Sequence, residues 1–233
     1  MKIRTVLAAA CAVLIVGCAS TTVTEQQSYQ GPRLARPDRI IVYDFAANAS
    51  DLPAGYDLAV AVSAPSAPPT ADNQNLGRKL GTEVAKNLVS ELQGMGLPAV
   101  PAAGQPAPRV GEITILGYFV SVDAGSIAKR MALGFGAGAA ELQTVVEAYL
   151  MTAQGLRRLG SGEISSTGPK GPGEALPLAI AVASGNPIGL IVSSAVKIGG
   201  EASGMSTVEG SAKRTAKEIA DKLKTAAQRQ GWI

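Results

Sequence analysis

Two serines stand three residues ahead of a lysine, in Ser126-Ile-Ala-Lys129 and Ser194-Ala-Val-Lys197. This is the S-x-x-K spacing in which an amine one helical turn away lowers the barrier to attack by a serine hydroxyl. Its occurrence twice shows how cheaply it arises, and no S-D-N, K-T-G or G-x-S-x-G element accompanies it. Asp44, Asp123, Glu141, Glu147 and Glu163 supply carboxylates. Two of them facing across a cleft would suffice for glycoside hydrolysis, but spacing along the chain brings no two together, and solvated or strand-end acids are the plainer reading. The chain has no His, and its two Cys are Cys11 and Cys18. That removes most zinc sites, Ser-His-Asp and Cys-His catalysis and haem ligation by His, each of which needs an imidazole or a thiolate. No catalytic residue, metal site or cofactor is therefore expected. The protein reads as a non-enzyme, with an envelope hydrolase acting on glycan or peptide through Ser-Lys or paired carboxylates as the alternative.

Glycines pose a separate question. Gly134, Gly136 and Gly138 lie within Met131-Ala-Leu-Gly-Phe-Gly-Ala-Gly-Ala-Ala140. They satisfy neither phosphate-loop pattern and precede a strand, so the oriented helix amides that hold a phosphate are not supplied. Two readings stay open: a tight internal hairpin, or an apolar arm that inserts Met131, Leu133 and Phe135 into another subunit or into lipid. Gly185, Gly189 and Ser193 repeat at four-residue spacing in a stretch from Ala175 to Val196 without a charged residue. Small residues at that spacing let helices approach closely, either in the domain core or at an interface through Gly189.

The remaining chemistry is at the amino terminus. Lys2 and Arg4 form a basic region, and Val6 to Val16 is an apolar run too short to cross a bilayer. It ends in Ile15-Val16-Gly17-Cys18, which resembles the bacterial lipobox. That resemblance makes residues 1–17 a lipoprotein signal peptide and Cys18 the acylated first residue of the exported protein. It also implies a lipid anchor on the periplasmic face of the outer membrane, since Ala19 rather than Asp follows the Cys. Three acyl chains exceed what stable anchoring needs, so no membrane-spanning helix is required. Of the 21 Lys and Arg, two leave with the signal, which brings the rest within one charge of the 18 acidic residues. A nucleic-acid footprint is absent. The expected partners are the membrane, through Cys18, and either a second copy of the chain or an outer-membrane protein.

The elements that would carry these residues follow from pattern. Residues 18–37 are Thr, Gln and Ser with two Pro, too polar to pack, and read as a flexible tether. Residues 38–233 form one domain by length. Arg39 to Phe45 is a β-branched first strand, apolar on both faces. Ala46 to Ala71 holds four Pro and reads as an irregular excursion. Leu76, Leu80, Val84, Leu88 and Leu92 step by four along a helix that Gly94, Gly96 and Pro98 stop. Gly77 and Gly81, one turn apart, mark a close approach. Ile113–Val122, Leu142–Met151 and Leu156–Ser166 are strands, the last two joined at Gly155. Two helices of about eleven residues are expected around Asn186-Pro187. A capping box at Ser206 and Glu209 opens an amphipathic helix to about Gln230, with Ala216, Ile219 and Leu223 inward and Trp232 tucked against the body. With aromatics at 4% and apolar residues at 46%, the core must be aliphatic. The expected fold is α+β: a mixed or antiparallel sheet of about four strands, packed with a long helix and carboxy-terminal helices.

Four strings carry a family likeness: Arg130-Met-Ala-Leu-Gly-Phe-Gly-Ala-Gly-Ala-Ala-Glu-Leu-Gln143, Gly185-Asn-Pro-Ile-Gly189, Arg214-Thr-Ala-Lys-Glu-Ile219 and Gln230-Gly-Trp-Ile233. On these the chain resembles a bacterial lipoprotein family known as domain of unknown function 4410, over roughly Pro37 to Ile233. The resemblance implies an envelope setting and no assigned activity, so it brings no catalytic residues with it.

Overall fold

The computed structural model describes residues 20–56, 71–123, 141–167, 191–193 and 208–233. The fold is α+β, with seven strands, two α-helices and one 3-10 turn at Ala49–Asp51 among the described residues. The strands are β1 (Ser20–Gln27), β2 (Ile40–Val42), β3 (Ala99–Pro101), β4 (Ile113–Asp123), β5 (Glu141–Thr152), β6 (Gly155–Thr167) and β7 (Ile191–Ser193). The helices are α1 (Ala71–Gly94) and α2 (Val208–Gln230). One mixed sheet runs in the order β1-β6-β5-β4-β2-β3, and β7 pairs with β4 off that path. Strands β4, β5, β6 and β1 are antiparallel neighbours, whereas β2 lies parallel between β3 and β4.

The four strands legible in the sequence form the body of this sheet. The first is shorter than the apolar run, but its central place explains why Ile40, Ile41 and Val42 are all 4% exposed or less. Beyond Val42 the chain stays bonded to β4 through the Tyr43 and Ala46 N–H groups, which donate to the Ile115 and Gly117 carbonyls, and Phe45 lies on Gly117, where a β-carbon would fall 2.1 Å from the Phe45 ring. Gly155, with φ at +111°, turns β5 into β6. The helix periodicity also holds: Leu80, Val84, Leu88 and Leu92 are buried and Leu76 packs against the same cluster. The close approach at Gly81 is to Phe45, whose carbonyl oxygen would stand 2.0 Å from a β-carbon there.

Both helices cover one sheet face. Leu88 and Leu92 of α1 and Ala216, Ile219 and Ala220 of α2 meet Ile113, Ile115, Phe119 and Val146 in an aliphatic core. On α2 the i,i+4 pairs Glu218–Lys222, at 3.5 Å, and Lys217–Asp221, at 2.9 Å, lie on the outer side. A buried hydroxyl chain fastens this helix to the sheet, with Thr215 donating to Ser166 at 2.7 Å and Thr21 3.2 Å from the same oxygen.

Two expectations are corrected. The tether assigned to residues 18–37 is not a tether where it is described, because Ser20–Gln27 is the edge strand β1, antiparallel to β6. Polarity misled here: an unpaired β6 edge rewards any chain that satisfies its N–H and C=O groups, and Thr and Val suit a pleated ladder whatever their hydropathy. The second of the two helices expected between Ala175 and Val196 is interrupted by β7, parallel to Ser121–Asp123 of β4. Ile191 and Val192 are β-branched, and β4 outruns β2, leaving edge for them to pair. The rest of that stretch, and Ser206 of the capping box, lie outside the described residues.

Candidate functional site

Apart from the five candidate acids, the residues singled out for function do not fall in the described part of the chain. Cys18, Met131, Leu133, Phe135 and Gly189 lie outside it, as do Ser126, Lys129, Ser194 and Lys197. What the structure adds instead is a cavity that no motif announced.

The cavity has a volume of about 350 Å³ and lies between the sheet and the carboxy-terminal half of α2. Its floor is the inward side of the central strands, including Ile113, Ile115, Val146 and Ala148. These residues face the helices because the period-two alternation of β4 and β5 puts odd-numbered positions of one opposite even-numbered positions of the other, as in Ile115↔Ala148. Its wall is α2, where Ile219, Leu223, Ala226 and Ala227 recur at helical spacing. Small residues make the space, since Ala148, Gly160, Gly162 and Ala226 line it where larger side chains would fill it.

A strap borders the cavity. After β1 the chain runs from Ser28 to Leu34 along the cavity rim. Its far end is clipped to the carboxy terminus twice: the Leu34 N–H donates to Gln230 Oε1 at 2.6 Å, and Trp232 Nε1 donates to the Leu34 carbonyl at 3.0 Å. The Tyr29 ring takes the Arg157 guanidinium 5.4 Å from its centroid, within cation–π range. Gly160 lets the strap start close to the sheet, because a β-carbon there would lie 2.4 Å from the Gln27 carbonyl oxygen. The expectation that Trp232 tucks against the body is met, with the strap as its partner.

The opposite sheet face is polar and also buried. Glu147, with its side chain 1% exposed, takes a hydrogen bond from the Tyr149 hydroxyl and an ion pair from Arg158 at 3.3 Å. Arg158 also reaches Gln27 Oε1 at 2.9 Å. Tyr56 folds over this face, its ring 5.8 Å from Tyr43 and 5.3 Å from Tyr149, both edge-on. Burial raises the Tyr56 and Tyr118 hydroxyls above the ordinary phenol range, and at Tyr118 the charges of Glu147 and Glu163 add to it. Both phenols stay neutral at physiological pH. Of the five candidate acids, Asp44 is exposed and accepts a hydrogen bond from Thr82 at 2.8 Å. Asp123 and Glu141 are direct partners across β4 and β5. The β5–β6 register sets Glu163 one step diagonal to Glu147 on one face, about 7 to 8 Å away. Among the described residues no group of three or more His, Cys, Asp or Glu could hold a metal ion. No helix there is long and apolar enough to cross a membrane.

A mixed sheet with two helices on one face and a largely apolar cavity beneath the second helix defines an α+β domain. The chain belongs to the family described as domain of unknown function (DUF4410), whose model matches residues 40–185. No curated protein matches the chain significantly. Two solved structures similar to it are PelC dodecamers from Paraburkholderia phytofirmans. One is 17% identical over 66% of this chain and 86% of that chain, with a TM-score of 0.37. The other, a single-residue variant, is 18% identical over 66% of this chain and 85% of that chain, with a TM-score of 0.36.

Proposed function

We propose that this protein is a lipid-anchored envelope lipoprotein, held on the periplasmic face of the outer membrane through acylated Cys18, with a non-catalytic binding role. The observation that carries the binding role is the 350 Å³ cavity, which is lined mostly by apolar side chains and bordered by a strap. Such a lining offers dispersion and desolvation to a ligand. The anchor rests on the lipobox and on the chain direction: the strap and β1 lie directly after Cys18 in sequence, so anchored end and cavity rim are parts of one segment. Labelled palmitate enters the wild-type protein and is lost from Cys18→Ala; equal labelling of both would overturn the anchor.

Assembly with a second copy or an outer-membrane protein, through Met131, Leu133, Phe135 and Gly189, belongs to the same reading. In-cell crosslinking tests it: Phe135→Ser and Gly189→Leu should each diminish a crosslinked species, and if neither does while the protein stays folded, those residues are ordinary core.

One observation favours a second reading, a hydrolase with paired carboxylates, namely the diagonal placement of Glu147 and Glu163. Against it, both oxygens of Glu147 are engaged by Tyr149 and Arg158 and the side chain is 1% exposed. A carboxylate so buried and occupied reaches neither an anomeric carbon as nucleophile nor a glycosidic oxygen as proton donor. Hydrolysis of envelope glycan by wild type but not by Glu147→Gln would reinstate this reading.

A further inference from the structure

The charged part of the cavity lining is one-sided. Among its residues are Lys222 and Arg229, and no Asp or Glu. The two cations are seven residues apart on α2 with Ala226 between them at i+4, which sets them on one stripe about 10 Å long. On the inward side of that stripe lie Ile219, Leu223 and Ala227. Lys222 pairs with Glu218 at 3.5 Å, but 44% of the Lys222 side chain is exposed, and an exposed pair of this kind yields readily to a better anion. The arrangement is a largely apolar chamber with a cationic lip.

Resting on the binding role proposed above, we infer that this cavity takes the chain of a single-chain amphiphile whose anionic head, a carboxylate or phosphate, sits between Lys222 and Arg229. Size supports this. A dry cavity of about 150 Å³ accommodates benzene, so 350 Å³ suits an aliphatic chain of roughly a dozen carbons. Chemistry supports it as well, since an ion buried with the chain would be uncompensated by the lining, whereas an ion left at the lip keeps water and gains two charge-assisted contacts. The strap provides entry: its hold at the Leu34 end is two hydrogen bonds, a small barrier compared with opening the sheet. Trp232 lines the chamber and is the only Trp in the chain, so its fluorescence reports occupancy.

The test uses the full exported chain carrying Cys18→Ala, with 12-bromododecanoate as a contact quencher of Trp232. Quenching should saturate, be competed by dodecanoate and dodecyl phosphate, and be at least tenfold weaker with 12-bromododecanol. The exposed pair of substitutions Lys222→Ala and Arg229→Ala should weaken the bromoacid about tenfold and leave the alcohol unchanged, and Ala226→Phe should abolish both by filling the chamber. Unsaturable quenching overturns the inference, as does equal affinity for acid and alcohol, or a double variant that binds as wild type. The lipidated wild-type chain, measured alongside, separates the sources of the chain. Equal binding assigns the chamber to a diffusible amphiphile, and lost binding assigns it to the protein's own acyl group and overturns a separate ligand. A failed palmitate experiment removes the protein's own acyl group as occupant and leaves the diffusible ligand standing, so the anchor and the ligand fall independently.

Discussion

At the scale of single residues, three positions show magnitude deciding between opposed effects. Burial works against ionisation of Glu112, but the Arg39 guanidinium, at 2.6 and 3.0 Å, and the Arg109 N–H, at 2.8 Å, outweigh it, so its carboxyl sits below the ordinary range. A carboxylate whose pKa is depressed by folding stabilises the fold above its unfolded value, near 4.3, and loses that contribution as pH falls through the lower folded value. The melting temperature should therefore drop below about pH 4, and Glu112→Gln, less stable at pH 7, should converge on wild type in acid. At Gly81 a helix-interior glycine would ordinarily gain about 1 kcal/mol on becoming Ala. The β-carbon, however, falls 2.0 Å from backbone that cannot rotate away, so Gly81→Ala should instead destabilise by about 2 to 3 kcal/mol in a denaturant titration. Glu147 is buried beside an Arg158 whose side chain is 34% exposed, and Glu147→Ala should cost about 2 kcal/mol, less than the 3 to 5 of a fully buried pair because water reaches the arginine.

At the scale of elements, legibility followed how much of each element's stability its own side chains supply. Helix α1 was readable because Leu80, Leu88 and Leu92 must all face one way, and β4 to β6 because their apolar runs are long and a glycine turns them. Strand β1 was not, since its place depends on an open edge of β6 rather than on its own hydropathy. Strand β7 was hidden for a related reason: an uncharged run suits helix and buried strand alike, and only the excess length of β4 decided for Ile191–Ser193. The strap is the element whose role can be checked separately. Replacing Trp232 by Phe keeps the ring and removes the donor to Leu34. Stability should fall by about 1 kcal/mol, with faster amide exchange confined to residues 28–36, and uniform acceleration across α1 would show that Trp232 serves the core instead.

At the scale of the whole molecule, the two sheet faces have different contents, and the candidate site follows from that difference. One face is aliphatic under two helices, and its core opens into a chamber where small residues of β5, β6 and α2 coincide. The other holds tyrosines around Glu147. Neither could be seen from spacing alone: Ala148, Gly160 and Ala226 read singly as core residues, and Glu147 meets Arg158 only once β5 and β6 are in register. The proposed anchor is the reverse case, since it rests on four consecutive residues and a processing signal is read locally. Native mass spectrometry of the protein extracted from envelopes bears on the central claim of an anchored, ligand-binding lipoprotein in one spectrum. The account predicts a chain beginning at Cys18, carrying covalent diacylglycerol and acyl mass, with a further non-covalent amphiphile that Ala226→Phe removes. A chain that retains residues 1–17 with Cys18 unmodified would contradict it.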